Sequence, residues 1–241
     1  MKKNNKKILY GDKIFSTKGT WTFDFSSTKK FDKHIEKSIP LYKEIHSLSL
    51  SYLSFFLRKN SVVYDLGCST GSFTKLIASE YNHFNPKIIG IDESNKMIKF
   101  ARKNNFHKKI QYIKKEIEKL KFKKCDIVVI NFTLQFIKPQ YRQLLINKIY
   151  KNLNWGGAII IFEKIRGEDA RFQDYMNLLY SDYKLKMKYT HAEIHSKALS
   201  LKGVLEPYTS KENKQFLKRA GFKDFSTIFK YLCFEGILAI K

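Results

Sequence analysis

The feature that most constrains the fold of this chain is an apolar, β-branched segment that contains an acid and runs into a glycine turn. Residues 61–71 read SVVYDLGCSTG, and a helical pattern follows from Ser72 to about Tyr81. Such apolar runs favour a buried strand, and glycine permits the positive backbone angles of a tight turn. The segment therefore predicts a strand, a loop whose backbone N–H groups approach a ligand, and a helix.

A second acid ends the next apolar run of the chain. Residues 87–92 read KIIGID and end in Asp92, just as the first run carries Asp65. In an open parallel sheet, an acid at the tip of the second strand can accept two hydrogen bonds from a ribose diol. The two runs favour a nucleoside site over the alternative, a buried strand and turn without a ligand.

The spacing of the glycines limits the class of ligand that the loop can bind. Gly67 and Gly71 form G-x-x-x-G, whereas a dinucleotide site would need G-x-G-x-x-G. A carboxylate two residues before the first glycine would repel a pyrophosphate at the helix N-terminus. Asp65 instead suits a ligand that carries a cation, such as the amino group or the sulfonium of S-adenosylmethionine.

Downstream of this loop the sequence alternates between strand and helix patterns. We expect helices at 94–104 and 139–153, a turn at Gly156-Gly157, and strands at 87–92, 109–114, 125–131 and 158–163. This alternation predicts a parallel sheet with helices on both faces and ligands at the carboxyl ends of the strands. Four polar residues fall at or just beyond such ends: Asp65, Asp92, Glu116 and Asn131.

The flanking segments predict added helices and two final strands. Residues 8–30 look irregular, and Trp21 and Phe23 within them could cover a ligand or pin an N-terminal arm to the core. Further expected helices are 31–39, 41–58, 168–187, 191–201 and 210–220, followed by strands 223–230 and 233–240. We expect one domain, in which an arm with helices (1–58), a ligand-binding core (59–164), a helical insertion with the last helix (165–220) and C-terminal strands (221–241) follow one another.

Composition limits the class of protein. The 241 residues contain no proline- or glycine-rich linker, no apolar run of membrane-spanning length and no signal-peptide pattern. The three cysteines, Cys68, Cys125 and Cys233, lack the spacing of a metal site. A cytoplasmic protein with reduced thiols and without a metal or a membrane anchor is expected.

The net charge of +24 raises the question of nucleic-acid binding. Only six of the 46 basic residues are arginine, and the lysines are scattered along the chain. A single-stranded RNA platform would instead cluster cations with stacking aromatics. The charge predicts non-specific attraction to polyanions at low salt, and a specific nucleic-acid site is the less favoured alternative.

Three motifs carry a resemblance to a known family: YDLGCS at 64–69, IGID at 89–92 and NFTLQF at 131–136. They resemble class I S-adenosylmethionine-dependent methyltransferases and, with KSIPLY at 37–42, the carboxy-S-adenosylmethionine synthases of tRNA wobble-uridine modification. The resemblance spans nearly the whole chain. It implies a homodimer and an α/β, Rossmann-like fold, with a mostly parallel seven-stranded sheet, helices on both faces and a helical insertion before the last two strands.

The resemblance also implies individual roles in holding S-adenosylmethionine or its carboxylated form. Tyr42 would contact the methionine or sulfonium end, and Asp92 and Glu93 would hold the ribose. The remaining implied contacts are the loop residues Gly67, Cys68 and Ser69, the adenine neighbours Glu116 and Ile117, and Asn131. With Asp65 and Gly71 from the glycine turn, these residues form the predicted cofactor site.

One departure from the family affects the predicted reaction. The family has a Lys-Arg pair whose arginine is thought to grip the carboxylate of the carboxylated cofactor, and here the pair is Lys197-Ala198. Alanine cannot supply a bidentate guanidinium, and a neighbouring lysine, Lys197 or Lys202, would be a poorer clamp.

Three functions therefore stay open. The favoured one is a methyltransferase with an unknown acceptor, for which Glu163 and Tyr42 are candidate general bases. The second is carboxy-S-adenosylmethionine synthesis, with prephenate as the carboxyl donor and a relocated cation. The third is a non-catalytic module that binds S-adenosylmethionine and RNA.

Overall fold

The structure, a computed structural model, describes residues 31–241 and two short strands near the N-terminus, β1 (Ile8–Leu9) and β2 (Phe15–Ser16). These strands pair antiparallel, with Ile8 opposite Ser16. The prediction of an irregular segment is therefore wrong at these strands. The aromatic pair Trp21 and Phe23 lies outside the described residues.

Seven further strands in the described part of the chain form the main sheet. They are β3 (Val62–Leu66), β4 (Lys87–Asp92), β5 (Ile110–Lys114), β6 (Cys125–Asn131), β7 (Leu153–Lys164), β8 (Asp224–Tyr231) and β9 (Phe234–Ile240). The order is β5-β4-β3-β6-β7-β9-β8, in which only the pairings of β9 with β7 and β8 are antiparallel. The predicted mostly parallel, seven-stranded sheet is confirmed.

The helices lie close to their predicted positions. They are α1 (Phe31–Ser38), α2 (Tyr42–Phe56), α3 (Ser72–Glu80), α4 (Asn95–Asn104), α5 (Pro139–Asn152), α6 (Ala170–Lys186), α7 (His191–Leu201) and α8 (Ser210–Ala220). Thr190 and Thr209 begin α7 and α8 with capping boxes, which satisfy free N–H groups at each helix start. The helical insertion before the last two strands is thus confirmed.

Two apolar layers pack against the two faces of the sheet. One layer joins Leu66 and Ile130 to Ile146 of α5 and Leu217 of α8, and the other joins residues that include Val63, Ile127, Leu53 and Ile77. Each such side chain contributes roughly 1.5–3 kcal/mol on full burial. The layers fix the sheet, so the carboxyl ends of β3, β4, β6 and β7 meet at one edge.

The predicted turn at Gly156-Gly157 is wrong. Strand β7 begins at Leu153, directly after α5, so both glycines lie within the strand. The register with β6 shifts between the Cys125–Leu153 pair and the Ile127–Ala158 pair, so this part of β7 bulges out of the ladder. A Cβ on Gly157 would lie 2.6 Å from the Asp126 carbonyl oxygen, which explains the small residue there.

Candidate active site

A cavity of about 870 Å³ opens at the carboxyl ends of β3, β4, β6 and β7. Its remaining walls come from α1, α2, the one-turn helix Ile117–Lys119, α6 and α7. This volume lies within the range of small-molecule sites and can hold a nucleoside together with a second molecule.

The glycine loop is tied to the neighbouring strand. Gly67 and Cys68 donate their backbone N–H groups to the Ile91 carbonyl oxygen at 2.8 and 2.9 Å, and the Ser69 N–H donates to Asp92 Oδ2 at 3.0 Å. The expectation that these N–H groups face a ligand is therefore wrong. Instead they fix the Asp92 carboxylate, whose Oδ1 also accepts the Ser94 N–H at 2.8 Å.

Both loop glycines are required by their backbone angles and by close packing. Gly67 and Gly71 each have φ +77°, a left-handed conformation that other residues adopt at a cost. A Cβ on Gly67 would collide with the Thr133 side chain, and one on Gly71 would lie 2.5 Å from the Tyr112 hydroxyl oxygen. Gly67 lines the cavity, whereas Gly71 lies outside its lining and shapes the turn.

Two carboxylates give the strand tips their negative charge. Asp65 is 2% exposed and accepts a hydrogen bond from Thr74 Oγ1 at 2.6 Å. Burial raises the pKa of Asp65 to about 6, and burial likewise raises the pKa of Asp92 to about 6 against the opposing N–H bonds. Both groups are mostly ionised at pH 7.5, and their charge favours a cationic ligand in a cavity that water screens weakly.

Most of the other predicted residues also line the cavity. Asn131 is notable because both of its side-chain amide atoms are buried and have no hydrogen-bond partner among residues 31–241. Buried amides are normally paired, so this one is suited to a ligand. The further predicted residues in the lining are Tyr42, Cys68, Ser69, Glu93 and Ile117.

One predicted residue faces away. Glu116 does not belong to the cavity lining, and its carboxylate pairs with Lys119 Nζ at 2.8 Å on a half-exposed surface. Its neighbour Glu118 lines the cavity instead, because the chain turns into the one-turn helix Ile117–Lys119 at this point.

Sequence reasoning missed several lining residues. Asp32, in the first turn of α1, accepts a hydrogen bond from Thr70 Oγ1 at 2.7 Å, and burial raises its pKa. His46 of α2 packs between Tyr42 and Phe73, and burial lowers its pKa to about 4. No motif in the sequence marked either residue. The acids of the lining at this end form what we name the acidic half: Asp32, Asp65, Asp92, Glu93 and Glu118.

The opposite wall carries cations. It is formed by the end of β7, by α6 and α7 and by the segment after α7, and it includes one exposed acid, Glu206. Ala198 also lines this wall, so the position at which the resemblance implies an arginine lies at the cavity. The cations form what we name the basic half: Lys164, Arg166, Lys184, Lys197 and Lys202.

Lys197 is held by helix α1. Its Nζ lies 2.8 Å from His34 Nε2 and donates to Ser38 Oγ at 2.7 Å. These contacts join the helical insertion to the helix that carries Asp32. They also hold the ammonium group against α1.

Glu163 does not fit the role of a general base. It is 3% exposed, lies outside the cavity lining, and accepts backbone N–H groups from Thr133, Leu134 and Gln135 at 3.1, 2.8 and 3.0 Å. Burial raises its pKa to about 8 against these three bonds. Glu163 therefore positions the turn that follows Asn131. Burial also raises the pKa of Tyr42, so its phenol stays protonated at neutral pH.

Two features are absent from the described residues. No helix among them is long and apolar enough to cross a membrane. No cluster of three or more His, Cys, Asp or Glu side chains among them has the arrangement of a metal site.

Comparisons with solved structures show the fold. The plantazolicin methyltransferase BpumL, in complex with a triazolic desmethylPZN analog and SAH, superposes with a TM-score of 0.65 over 88% of this chain and 90% of that chain at 16% identity. Human N-acetylserotonin methyltransferase with SAM gives 0.62 over 89% of this chain and 55% of that chain at 20% identity. These similarities establish the class I methyltransferase fold.

Sequence comparisons are more specific. Residues 63–157 match the family described as a methyltransferase domain. The carboxy-S-adenosyl-L-methionine synthase of Staphylococcus epidermidis is 40% identical over 92% of this chain and 97% of its own length. That of Campylobacter jejuni is 39% identical over 95% and 99%. The chain therefore belongs to the carboxy-S-adenosyl-L-methionine synthase family of S-adenosylmethionine-dependent transferases.

Proposed function

We propose that this enzyme transfers the methyl group of S-adenosylmethionine to a small-molecule acceptor and does not carboxylate the cofactor. The observation that carries the proposal is Ala198, which lies on the cavity wall at the position for which the resemblance implies a carboxylate-binding arginine. A guanidinium can hold a carboxylate through two charge-assisted hydrogen bonds, whereas a methyl side chain holds none. Losing such a contact in a dry site typically costs several kcal/mol.

The acidic half fits the cofactor residue by residue. Asp92 keeps acceptor capacity for two ribose hydroxyls, because each oxygen accepts only one backbone N–H. Asp65 and Asp32 supply negative charge for the amino and sulfonium groups, and the unpaired Asn131 amide supplies a donor and an acceptor. When bound, S-adenosylmethionine supplies an electrophilic methyl group.

The contribution of the protein to methyl transfer is mainly positioning. An acceptor held in line with the methyl group gains most of its rate from orientation, so no dedicated base is required. The α6 and α7 segments cover the strand tips and limit the access of water. This agrees with the positions of Glu163 and of the protonated Tyr42, neither of which is suited to act as a base.

The test follows the mass of the cofactor. Protein is incubated with methyl-labelled S-adenosylmethionine and either prephenate or the small-molecule fraction of a cell extract. We expect an unchanged cofactor mass with prephenate, and transfer of the label with release of SAH in the extract. A carboxylated cofactor formed by the wild-type protein would overturn the proposal, and so would the absence of SAH from every extract.

A matched pair of variants sharpens this test. Ala198→Arg restores the family's charge, and Ala198→Met adds similar bulk without charge. We expect only Ala198→Arg to retain or form the carboxylated cofactor. Equal behaviour of the two variants would show that position 198 does not select the reaction.

The second candidate is carboxy-S-adenosylmethionine synthesis, the reaction for which the relatives are named. The basic half supports it, because Lys197 and Lys202 lie on the same wall as Ala198. A lysine is a point charge on a flexible stem and is a poorer clamp than arginine. In this case prephenate would lead to a carboxylated cofactor with the wild-type protein.

A further inference from the structure

We propose that Lys164 and Lys184, both in contact with the Tyr180 ring, form an anion-binding subsite for a carboxylate or phosphate group of the second substrate. We name these three residues the lysine subsite. The proposal rests on the proposed function only in assigning the anion to the second substrate.

Lys184 is the strongest evidence, because it is a buried lysine without an anionic partner among residues 31–241. It lies on α6, is 8% exposed and lines the cavity. No hydrogen bond or ion pair joins its ammonium group to another group in residues 31–241. Lysine is almost never this buried unless it is paired, since removing an ammonium from water costs several kcal/mol.

The aromatic contact does not offset this cost. Lys184 Nζ lies 4.2 Å from the centroid of the Tyr180 ring. A desolvated cation–π contact contributes about 2 kcal/mol, which is less than the desolvation cost of the charge. An arriving anion would supply the missing stabilisation.

Lys164 brings a second positive charge to the same ring. This residue ends β7, is half-buried, lines the cavity and has its Nζ 4.7 Å from the Tyr180 centroid. The Tyr180 hydroxyl donates to the Ser38 carbonyl oxygen at 2.7 Å, which fixes the ring between α6 and α1. Burial and the charge of Lys164 lower the pKa of Lys184 to about 7, and the nearby Cys233 opposes this shift weakly. Two like charges that contact the same ring and line the same cavity favour an anion beside them.

Neighbouring groups indicate the chemical class of the ligand. Gln173, Asn177 and Ser181 lie on the cavity-facing side of α6 with Lys184 and add neutral polar groups to its wall. The acidic half would repel an anion, so the anionic group is directed toward α6 and β7. Two ammonium donors with neutral polar neighbours suit a carboxylate or a phosphate ester.

The experiment measures anion binding to the SAH-loaded protein by calorimetry. The probes are malonate, inorganic phosphate and the neutral analogue malonamide. We expect one or both anions to bind and malonamide not to bind. Lys184→Met should weaken anion binding at least tenfold, whereas Lys211→Met, an exposed lysine of α8 outside the cavity, should change it less than twofold.

Two further measurements on Lys184→Met, S-adenosylmethionine affinity and Tm, distinguish the lysine subsite from the cofactor site and from the proposed methyl transfer. Lys184→Met should keep S-adenosylmethionine affinity within threefold of wild type and should raise the Tm, because it removes a buried unpaired charge. Binding of malonate alone would assign a carboxylate, and binding of phosphate alone a phosphate ester. The proposal is overturned if neither anion binds the wild type, or if Lys184→Met binds them as well as wild type. Methyl transfer enters neither measurement, so its failure would be seen separately.

Discussion

The two halves of the cavity differ in how their charges are held. In the acidic half, Asp92 accepts two backbone N–H groups and Asp65 accepts the Thr74 hydroxyl. In the basic half, Lys184 has no anionic partner in residues 31–241, and Lys202 is exposed. The acidic half is thus arranged before its ligand arrives, whereas the basic half carries charge that a ligand must satisfy.

The sheet order explains this difference. Strands β3 and β4 are neighbours, with Leu66 opposite Ile91, so the glycine loop can bond directly to the tip of β4. Strand β7 lies on the other side of β6 from β3 and β4. The cations at its end share a cavity wall with lysines from α6 and α7. Under the proposed function, cofactor binding would depend on strands β3 and β4, and selectivity for the second substrate on the helical insertion.

The largest effect is expected at the acidic half. Asp92→Ala removes the ribose acceptor and the group that orients Ser69, and two charge-assisted hydrogen bonds of about 1.5 kcal/mol each correspond to about a 100-fold loss of S-adenosylmethionine affinity. Calorimetry measures this loss of affinity. Asp224→Ala is the control, since β8 begins opposite Ile240 at the other edge of the sheet. An Asp92→Ala protein that binds within threefold of wild type would break the comparison.

A substitution of Glu163, which lies between the two halves of the cavity, should lower the free energy of unfolding. Glu163→Leu leaves the N–H groups of Thr133, Leu134 and Gln135 buried without their acceptor, at a cost of about 3 kcal/mol in the free energy of unfolding. Denaturant titration measures this loss. Glu163→Gln, which keeps an acceptor oxygen, should lose less than half as much. Equal losses for the two variants would contradict the role given to these bonds.

A smaller, pH-dependent effect tests the charge of the acidic half. Because the pKa of Asp65 and of Asp92 is about 6, lowering the pH from 7.5 to 5 protonates both and should weaken S-adenosylmethionine binding at least tenfold. The Thr74 hydrogen bond lowers the pKa of Asp65, so Thr74→Val should move the midpoint of this loss to higher pH. Affinity that is constant over this range would exclude a role for these charges.

The smallest effect on S-adenosylmethionine affinity is expected from a comparison of two neighbouring acids, Glu118 and Glu116. Glu118 lines the cavity, whereas Glu116 pairs with Lys119 outside it. We expect Glu118→Gln to weaken S-adenosylmethionine binding about threefold, as for a partly screened charge, and Glu116→Gln to change it less than twofold. A larger effect of Glu116→Gln would support the adenine contact that the resemblance implies for Glu116.

The fold was predictable because local pattern and tertiary packing agree. The alternation of strands and helices and the acid-bearing runs with Asp65 and Asp92 each have a local physical cause. The prediction of a turn at Gly156-Gly157 was wrong because glycine also occurs at β-bulges and where two backbone segments approach closely. Pattern alone does not separate these uses.

Reasoning from the residues alone found only site residues at one loop or strand tip, and Tyr42 of α2 came from the family resemblance. Asp32 and His46 come from α1 and α2, and Lys184 comes from α6, so no spacing in the sequence marks their meeting. The loop N–H groups were assigned to a ligand because the motif does not show that the Ile91 carbonyl already accepts two of them. Glu116 was assigned to the cofactor, whereas Glu118, two residues later in the one-turn helix, lines the cavity.

The most direct test of the division of the cavity is a crystal structure of the protein with S-adenosylmethionine bound. We expect the ribose hydroxyls to lie within hydrogen-bond distance of the Asp92 carboxylate and the sulfonium to lie beside Asp65, with the lysine subsite left to the second substrate. A nucleoside bound among Lys164 and Lys184, or outside the cavity, would contradict it.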